Sequence, residues 1–203
     1  MFVTQLTVGA FGTNCYLVFD EESRQGYVID PAADGDRINN EIKRLSMKVK
    51  GILLTHGHLD HFEAVDRVAS ETGAPVMMHR DDHFQYEKIP AFFGPVPAPK
   101  TKISRFLEHG DVLCAGKLAL QVLHTPGHTP GGLSFYDGEG TVFCGDTLFW
   151  RSIGRCDLPG GSFKVLSQSI QEMLYTLPEE TKVFSGHGSA TTIGEERKNN
   201  PYV

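Results

Sequence analysis

The 203-residue sequence has no long apolar run and no cluster of basic residues. No run approaches the ~20 apolar residues needed to cross a bilayer, so we expect no membrane association. Nineteen Lys and Arg against 25 Asp and Glu leave a formal charge of −6, and the basic residues are scattered. Because phosphate binding needs a concentrated basic surface, we expect no nucleic acid as a partner.

Cysteine is scarce as well, and the four cysteines form no C-x-x-C pair. This spacing favours reduced thiols in a cytoplasmic protein over a disulfide framework. The N-terminus has no basic segment ahead of an apolar one, so we expect no secretory signal. With 40% hydrophobic and 22% charged residues, the composition is typical of a folded globular protein. The length and the lack of a linker predict a single domain over residues 1–203.

Hydrophobic periodicity predicts strands and helices in two similar halves. In the first half we expect strands at residues 2–8, 15–19, 26–30, 51–55 and 75–79, and helices at 34–45 and 62–72. In the second half we expect strands at residues 103–107, 112–114, 118–123, 132–136, 141–144 and 182–185, and a helix at 163–177. Asp34 and Ser162 are the predicted caps of the first and last helices. This order predicts two packed sheets covered by helices.

Residues 86–101 interrupt this pattern. They hold four prolines beside Phe92 and Phe93 and show no periodicity, which predicts a long surface loop. Such a loop is either a lid over an apolar part of a substrate or a simple packing element.

The sequence T-H-G-H-L-D-H, residues 55–61, follows directly on a predicted buried strand. Four potential metal donors in six residues are costly for a structural segment, because each buried imidazole or carboxylate needs a partner. If the backbone stays extended, period-two alternation places His56, His58 and Asp60 on one side and turns His61 elsewhere. A solvated polar loop is the alternative, and the density of donors favours metal binding.

Three further groups also follow apolar, strand-like runs. In L-H-T-P-G-H-T-P-G-G, residues 123–132, His124 belongs to the predicted strand and His128 lies in a turn stiffened by proline and glycine. C-G-D-T supplies Asp146 and S-G-H-G supplies His187, each beside a glycine that allows close approach. Taken alone, each of these residues would be unremarkable. Four such groups at strand ends predict one shared site.

Seven protein donors exceed the need of one catalytic zinc ion, which takes three protein ligands and a water. Two ions that share Asp146 would use all seven, with three further ligands each. Paired ions ~3.5–4 Å apart are a known hydrolytic device that acidifies bound water and stabilises an oxyanion. A single ion with the spare residues around it remains the alternative. Zinc is the first expectation for the metal, and iron or manganese also suits His and Asp ligands.

These motifs, in this order, resemble the metallo-β-lactamase superfamily, and within it the short glyoxalase II (hydroxyacylglutathione hydrolase)-like branch. The likeness covers nearly the whole chain, and the combined signature is highly specific. It implies an α/β fold of the αββα four-layer sandwich type, with both metals at one edge of the paired sheets. It assigns His56, His58 and His128 to the first metal, Asp60, His61 and His187 to the second, and Asp146 to both.

The resemblance also implies a reaction. Oxygen-reducing di-iron members resemble His-x-Glu-x-Asp at the first motif, and this chain has His58 in place of that glutamate, which favours hydrolysis. Residues 145–161 are similar to the segment beside the site in the short branch. Within them Arg155 is the candidate for binding a substrate carboxylate or glutathione, and a surface ion pair is its alternative. Full-length glyoxalase II carries a C-terminal helical domain that grips glutathione, and the likeness ends before such a domain.

We therefore expect a dinuclear hydrolase of glutathione thioesters such as S-D-lactoylglutathione, acting through a metal-bridging hydroxide that Asp60 orients and whose proton it accepts. A thiol of pKa ~8.5 leaves without strong protonation, whereas an amide nitrogen needs a general acid, so the chemistry favours a thioester over a β-lactam. A mononuclear-iron persulfide dioxygenase and a lactonase of the same fold are the alternatives. The persulfide dioxygenases and the short branch share a similar ending, which this chain resembles at T-I-G-E-E-R-K-N-N-P, residues 192–201. A metal-stabilised binding protein is a further alternative, although seven donors exceed the four of a closed structural site.

Overall fold

The computed structural model describes residues 1–88 and 98–203, and these residues form two six-stranded sheets. In the first sheet β1, β2 and β3 form an antiparallel meander, and β3 to β6 run parallel. Parallel pairing brings the carboxyl ends of these strands to one edge. The strands lie in chain order as β1 (Phe2–Val8), β2 (Thr13–Phe19), β3 (Gln25–Ile29), β4 (Lys48–Leu53), β5 (Val76–Met78) and β6 (Ile103–Phe106).

The second sheet is built from the second half of the chain. Its antiparallel part runs through β7 (Val112–Ala115), β8 (Leu118–His124), β9 (Leu133–Tyr136) and β10 (Thr141–Gly145). β13 (Lys182–Ser185) then pairs parallel with β10, and β14 (Thr191–Thr192) forms the outer edge. A separate hairpin of β11 (Leu148–Phe149) and β12 (Ser152–Ile153) follows β10 after Asp146 and Thr147.

Three hydrophobic clusters define four layers. One cluster packs the outer face of the first sheet against α1 (Gly35–Arg44) and α2 (Val65–Thr72). A second lies between the two sheets, and a third packs the second sheet against α4 (Phe163–Ser169) and α5 (Ile193–Asn199). The structure therefore confirms the expected αββα sandwich of two sheets covered by helices.

Strand β2 shows how the sequence produces these layers. All seven of its residues are buried. Cys15 and Leu17 belong to the outer cluster, whereas Tyr16 and Val18 belong to the cluster between the sheets. Successive side chains of a strand point to opposite faces. A strand with protein on both sides therefore has a continuous run of apolar residues, here residues 15–19.

The predicted caps have different outcomes. Ser162 accepts a hydrogen bond from Val165 N, as expected for an N-cap. Asp34 stands at the N-cap position of α1 with φ 52°, but its carboxylate accepts from Gly9 N instead of from the helix. Asp34 is therefore the N-cap residue, as predicted, but its side chain makes no capping hydrogen bond, because a tertiary contact with the turn after β1 takes it.

Several helix boundaries also differ from the prediction. The helix expected at 62–72 begins at Val65, because a 3₁₀ turn, Leu59–His61, comes first. The helix expected at 163–177 is α-helical over Phe163–Ser169 and continues as one π-helical turn, Ile170–Leu174. The elements that periodicity did not predict are short: α3 (His83–Glu87), α5, β14 and the β11–β12 hairpin.

The loop expected at residues 86–101 is described only at its ends. Its first residues belong to α3, where the buried Tyr86 donates its hydroxyl to Thr101 O. Asp66 accepts from the backbone of Lys100 and Thr101 at the far end. Phe92 and Phe93, and with them the lid hypothesis, lie outside the described residues.

Two sequence expectations concern the chain as a whole. All four cysteines are free thiols, in agreement with the expected lack of a disulfide. Among the described residues, every helix is too short or too polar to cross a membrane.

Candidate metal centre

The seven predicted ligands lie at one edge of the paired sheets. Residues 55–61 follow β4, and His128 lies in the loop after β8. Asp146 follows β10 directly, and His187 follows β13 after one glycine. Because β10 and β13 are parallel neighbours, their carboxyl ends place Asp146 and His187 side by side.

The backbone after β4 turns sooner than the sequence prediction assumed. His58 is extended, with φ −83° and ψ 140°, but Leu59–His61 then forms a 3₁₀ turn. His56 and His58 therefore face His128, whereas Asp60 lies with His61 and His187. The expectation that Asp60 shares a side with His56 and His58 was wrong, because period-two alternation ends where the turn begins.

The first cluster consists of His56, His58 and His128. His56 Nε2 lies 3.1 Å from His58 Nδ1, and His128 Nε2 lies 2.9 Å from the same His58 atom. All three rings are buried. Three ring nitrogens that face one another at these distances can serve as ligands of one tetrahedral ion that keeps a fourth position open.

The second cluster consists of Asp60, His61 and His187. His61 Nε2 lies 3.3 Å from His187 Nε2, and Asp60 Oδ2 lies 3.3 Å from the same His187 atom. His61 is fully buried, while the side chains of His187 and Asp60 are 27% and 16% exposed. This cluster therefore opens toward solvent on the side of His187 and Asp60.

Asp146 contacts both clusters. Its Oδ1 lies 3.4 Å from His61 Nε2, and its Oδ2 lies 3.6 Å from both His128 Nε2 and His187 Nε2. Oδ1 is buried and has no hydrogen-bond partner among the described residues. A buried, unpaired carboxylate oxygen between two groups of imidazoles fits metal ions, because an ion satisfies the oxygen and the ring nitrogens together.

A glycine permits this close approach. A Cβ at Gly186 would collide with Asp146 Oδ1 and with His61 Cε1. The backbone here is held by Gly186 N donating to Gly145 O and by Asn14 N donating to Gly186 O, both at 2.7 Å. The prediction that the glycine beside His187 allows close approach agrees with this geometry.

Electrostatics differ between the two clusters. Burial, together with neighbouring histidines, lowers the pKa of His58 to about 4 and lowers the pKa of His56 well below its usual value. Both rings are therefore neutral at neutral pH, which is the form that binds metals. Burial acts in the same direction on His61, but the carboxylates of Asp146 and Asp30 outweigh it, and the pKa of His61 is raised.

The two carboxylates of the site remain ionised. Burial alone would raise the pKa of Asp146, but His61 and His128 hold it well below its usual range. Burial of Asp60 is likewise outweighed, in this case by a hydrogen bond from His187 and by His61, so its pKa is also lowered. Two anions thus face the imidazoles at neutral pH, and a negatively charged donor set favours divalent cations.

Sequence reasoning missed the residues that orient the ligand side chains. Asp30 Oδ2 lies 2.8 Å from His61 Nδ1 and also accepts from Thr55 Oγ1, while Asp30 Oδ1 accepts from Thr55 N. Thr55 Oγ1 in turn lies 3.0 Å from His56 Nδ1. A metal-binding histidine normally donates its second ring nitrogen in this way, which fixes the ring. A signal existed in the sequence, because Asp30 directly follows a buried strand just as Asp146 does.

Asp82 links the two loops that carry the first cluster. Its carboxylate accepts from Gly57 N, between His56 and His58, and from Thr129 Oγ1 and Gly131 N beside His128. Asp82 is fully buried. Its sequence context, a polar run of residues 79–83, offers no signal for this role.

A third group of donors, His79, Asp81 and His124, includes none of the seven predicted ligands. The rings of His79 and His124 are stacked, with centroids 4.2 Å apart and an interplanar angle of 12°. Ring lone pairs lie in the ring plane, so parallel stacked imidazoles do not converge on one ion. His124 lies in β8, as predicted, and its Nε2 contacts Pro130 O at 2.9 Å.

A cleft of about 700 Å³ opens above the site. Its floor includes His58, Asp60, Asp146 and His187. Its walls are largely apolar and are formed by Phe11, Phe149, Ser152, Ile153, Arg155 and Leu158.

Arg155, the predicted substrate-binding residue, lines this cleft, but its guanidinium is engaged. Arg155 Nε and one terminal nitrogen donate to the two carboxylate oxygens of Asp157, at 2.8 and 2.9 Å. The backbone carbonyl of Arg155 faces His128 Nδ1 at 2.8 Å. Arg155 therefore supports the ring of His128 through its backbone, a role that its residue type could not indicate.

Comparisons with family models and with known proteins agree with the family that the motifs resemble. The family model described as "Metallo-beta-lactamase superfamily" matches residues 8–187. A Haemophilus influenzae protein named hydroxyacylglutathione hydrolase GloC is 36% identical over 211 residues, which cover 100% of this chain and 98% of that protein.

Two solved structures are similar over nearly the whole chain. The structure of the BLEG-1 B3 metallo-beta-lactamase has a TM-score of 0.93 at 36% identity and covers 99% of both chains. The structure of TTHA1623 in a di-iron-bound form has a TM-score of 0.89 at 39% identity and covers 99% of this chain and 100% of the other.

Proposed function

Because the chain belongs to the metallo-β-lactamase superfamily, whose fold binds metal ions, we propose that this metallo-hydrolase is dinuclear and cleaves glutathione thioesters such as S-D-lactoylglutathione. The observation that carries the proposal is the position of Asp146, whose two carboxylate oxygens lie between two clusters of three donors each. In this proposal His56, His58 and His128 hold one ion, Asp60, His61 and His187 hold the other, and Asp146 contacts both.

The donor set suits zinc, iron or manganese. When bound, such ions lower the pKa of coordinated water and stabilise negative charge on a carbonyl oxygen. Zinc is the proposed metal, and the di-iron-bound form of the relative TTHA1623 supports iron as the alternative.

Asp60 is the proposed general base. Its side chain lines the cleft and is 16% exposed, so a substrate and a water molecule can reach it. His187 and His61 hold it ionised, as its lowered pKa indicates. An ionised carboxylate that borders the cleft can orient a water molecule and accept its proton.

The leaving group favours a thioester over an amide. A thiol of pKa ~8.5 departs as a thiolate, whereas an amine must be protonated as it leaves. Apart from the proposed ligands, Ser152 and Arg155 are the polar side chains among the described residues of the cleft wall. Neither is a suitable acid at neutral pH, so the site fits thiolate departure better than opening of a β-lactam, although BLEG-1 is named a β-lactamase.

The proposal is tested by following thioester loss from S-D-lactoylglutathione after separate reconstitution with zinc, iron and manganese. We expect metal-dependent turnover that the Asp146→Ala variant lacks. A β-lactam assayed in parallel should be cleaved much more slowly. Absence of thioester turnover with every metal would reject this substrate class.

Two alternative activities can be tested on the same metal-loaded protein with other substrates. A mononuclear-iron persulfide dioxygenase would bind one iron per chain and consume oxygen with a glutathione persulfide. A lactonase would open lactones with any of the three metals and without oxygen uptake. Iron content, an oxygen electrode and a lactone substrate therefore separate these activities from thioester hydrolysis.

If the substrate is a glutathione thioester, Arg155 is the residue that we expect to bind a carboxylate of its glutathione moiety. An exposed ion pair contributes about 0.2–1 kcal/mol, so Arg155→Met should raise KM for S-D-lactoylglutathione by about 1.4–5-fold with little change in kcat. Asp157→Asn frees the guanidinium from its present partner and should lower KM. Steady-state kinetics on both variants measure these shifts.

An uncharged thioester, S-lactoyl-N-acetylcysteamine, is the matched control substrate because it has no carboxylate for Arg155 to bind. Neither variant should change its KM. Equal shifts for the charged and the uncharged substrate, or no shift for either, would contradict a role of Arg155 in binding glutathione.

A further inference from the structure

The β11–β12 hairpin forms one wall of the cleft. Phe149, Ser152 and Ile153 line the cavity, and the Phe149 ring lies edge-on to the His187 ring at a centroid distance of 6.3 Å. The hairpin has only two pairs of residues, Leu148 with Ile153 and Phe149 with Ser152. Such a short hairpin is marginally stable by itself, so other contacts must hold it in place.

The turn of this hairpin has an unfavourable backbone conformation. Arg151 has φ 51°, in the left-handed region that turns usually reserve for glycine or asparagine. A long side chain persists there only where the surroundings over-determine the conformation. The backbone amide of Arg151 donates to Glu196 Oε2 at 2.8 Å, which supplies such a constraint.

Glu196 is a fully buried carboxylate in the C-terminal helix α5. Besides Arg151 N, its Oε2 accepts from Asn200 Nδ2 at 2.9 Å, and its Oε1 accepts from Thr191 Oγ1 at 2.6 Å. Asn200 Nδ2 also donates to Ser152 O at 3.0 Å. The carboxylate and its neighbour Asn200 thus bind the backbone at the second turn residue and at the first residue of β12. Each hydrogen bond to a buried charge is strong.

From these contacts we propose that Glu196 is a positioning residue of the substrate cleft: it anchors the β11–β12 hairpin and so holds Phe149 and Ile153 in place against the bound substrate. Glu196 itself lies behind the hairpin and does not line the cleft. Glu196 belongs to residues 192–201, whose sequence resembles the short branch, and this network gives that segment a structural role. The kinetic consequence rests on the proposed thioester hydrolysis, whereas the anchoring of the hairpin does not.

The chain contains its own probe of the hairpin. Trp150 is the single tryptophan of the sequence, lies in the hairpin turn and is 57% exposed. Time-resolved anisotropy of its fluorescence reports the local motion of the turn on the nanosecond timescale. This measurement needs neither a substrate nor turnover.

Four variants separate anchoring from other effects. Glu196→Ala removes every acceptor. Glu196→Gln keeps the shape and can preserve the network, because its amide can donate to the Thr191 hydroxyl while its oxygen accepts from Arg151 N. Thr191→Val removes only the hydroxyl that donates to Glu196 Oε1. This milder change tests the same network if Glu196→Ala does not fold. Arg197→Ala is the control on the same helix, since it breaks only an exposed pair with Glu179.

In the metal-loaded protein we expect faster and larger Trp150 motion in Glu196→Ala, a smaller change in Thr191→Val, and wild-type behaviour in Glu196→Gln and Arg197→Ala. KM for the thioester should rise roughly 10-fold in Glu196→Ala with bound metal unchanged, because a displaced wall misplaces the substrate. Wild-type Trp150 motion in Glu196→Gln would show that the hydrogen bonds hold the hairpin and that the negative charge is not required.

Unchanged Trp150 motion in folded Glu196→Ala, or in Thr191→Val where the former does not fold, would overturn the anchoring. Greater Trp150 motion with an unchanged KM would overturn the positioning role. If the wild-type protein cleaves no thioester, the proposed function fails, and the anisotropy measurement still decides whether Glu196 anchors the hairpin.

Discussion

Asp146→Asn is expected to lower thioester hydrolysis by more than about 100-fold and to reduce the bound metal from two ions per chain to about one. Groups that only orient metal ligands cost about 10–100-fold when they are mutated, so a residue that contacts both ions should cost more. Asparagine keeps the shape of the side chain but removes the charge that faces His61, His128 and His187. The amide nitrogen also replaces one of the two ligand oxygens.

The measurement combines metal analysis after dialysis with steady-state kinetics in the proposed assay. Asp36→Asn is the matched control, because it also removes one carboxylate, which is 78% exposed, pairs with Arg67 and is not one of the seven proposed ligands. The control should retain two ions and full activity. If Asp146→Asn kept two ions and wild-type turnover, a bridging role of Asp146 would be untenable.

Asp82→Ala is expected to lower the free energy of unfolding by at least about 3 kcal/mol, because each of three buried donors that loses its acceptor costs about 1–3 kcal/mol. The truncation leaves Gly57 N, Thr129 Oγ1 and Gly131 N without their acceptor in a fully buried position. Because these donors belong to the loops of His56, His58 and His128, the first cluster should also bind its ion more weakly, by about 10–100-fold.

Chemical denaturation of the metal-free protein gives the stability change, and competition with a chelator gives the metal affinity. Asp81→Ala is the control at the neighbouring position, where the side chain is 57% exposed and its ion pair among the described residues is with His79. Its effect should stay within about 0.5 kcal/mol, as for other surface substitutions. A stability loss of equal size in both variants, or none in Asp82→Ala, would show that Asp82 does not hold the two loops together.

The larger elements and the candidate site were accessible from the sequence because each rests on a local pattern. A run such as residues 51–55 predicts a buried strand, and the polar residues that follow it must then lie at a sheet end. The small elements were not predicted, because they depend on tertiary contacts and lack a local pattern. The β11–β12 hairpin has two residues in each strand, and Arg151 in its turn gives no glycine or asparagine signal. A tertiary contact with Glu196, 45 residues away, holds that turn.

The sequence by itself determined which donors exist, their order along the chain and their position after buried strands, and this predicted a shared site. The order of strands and helices predicted two packed sheets covered by helices, and the family resemblance implied the four-layer sandwich. Alternation along an extended chain and the family resemblance grouped Asp60 differently, and only the tertiary structure decided between these two groupings. The 3₁₀ turn at Leu59–His61 moves Asp60 away from His56 and His58, and packing of the two sheets brings His128, Asp146 and His187 to residues 55–61. The roles of Asp30 and Asp82 also depend on contacts between distant segments. Periodicity describes neighbours along one element, whereas these hydrogen bonds depend on how separate elements pack.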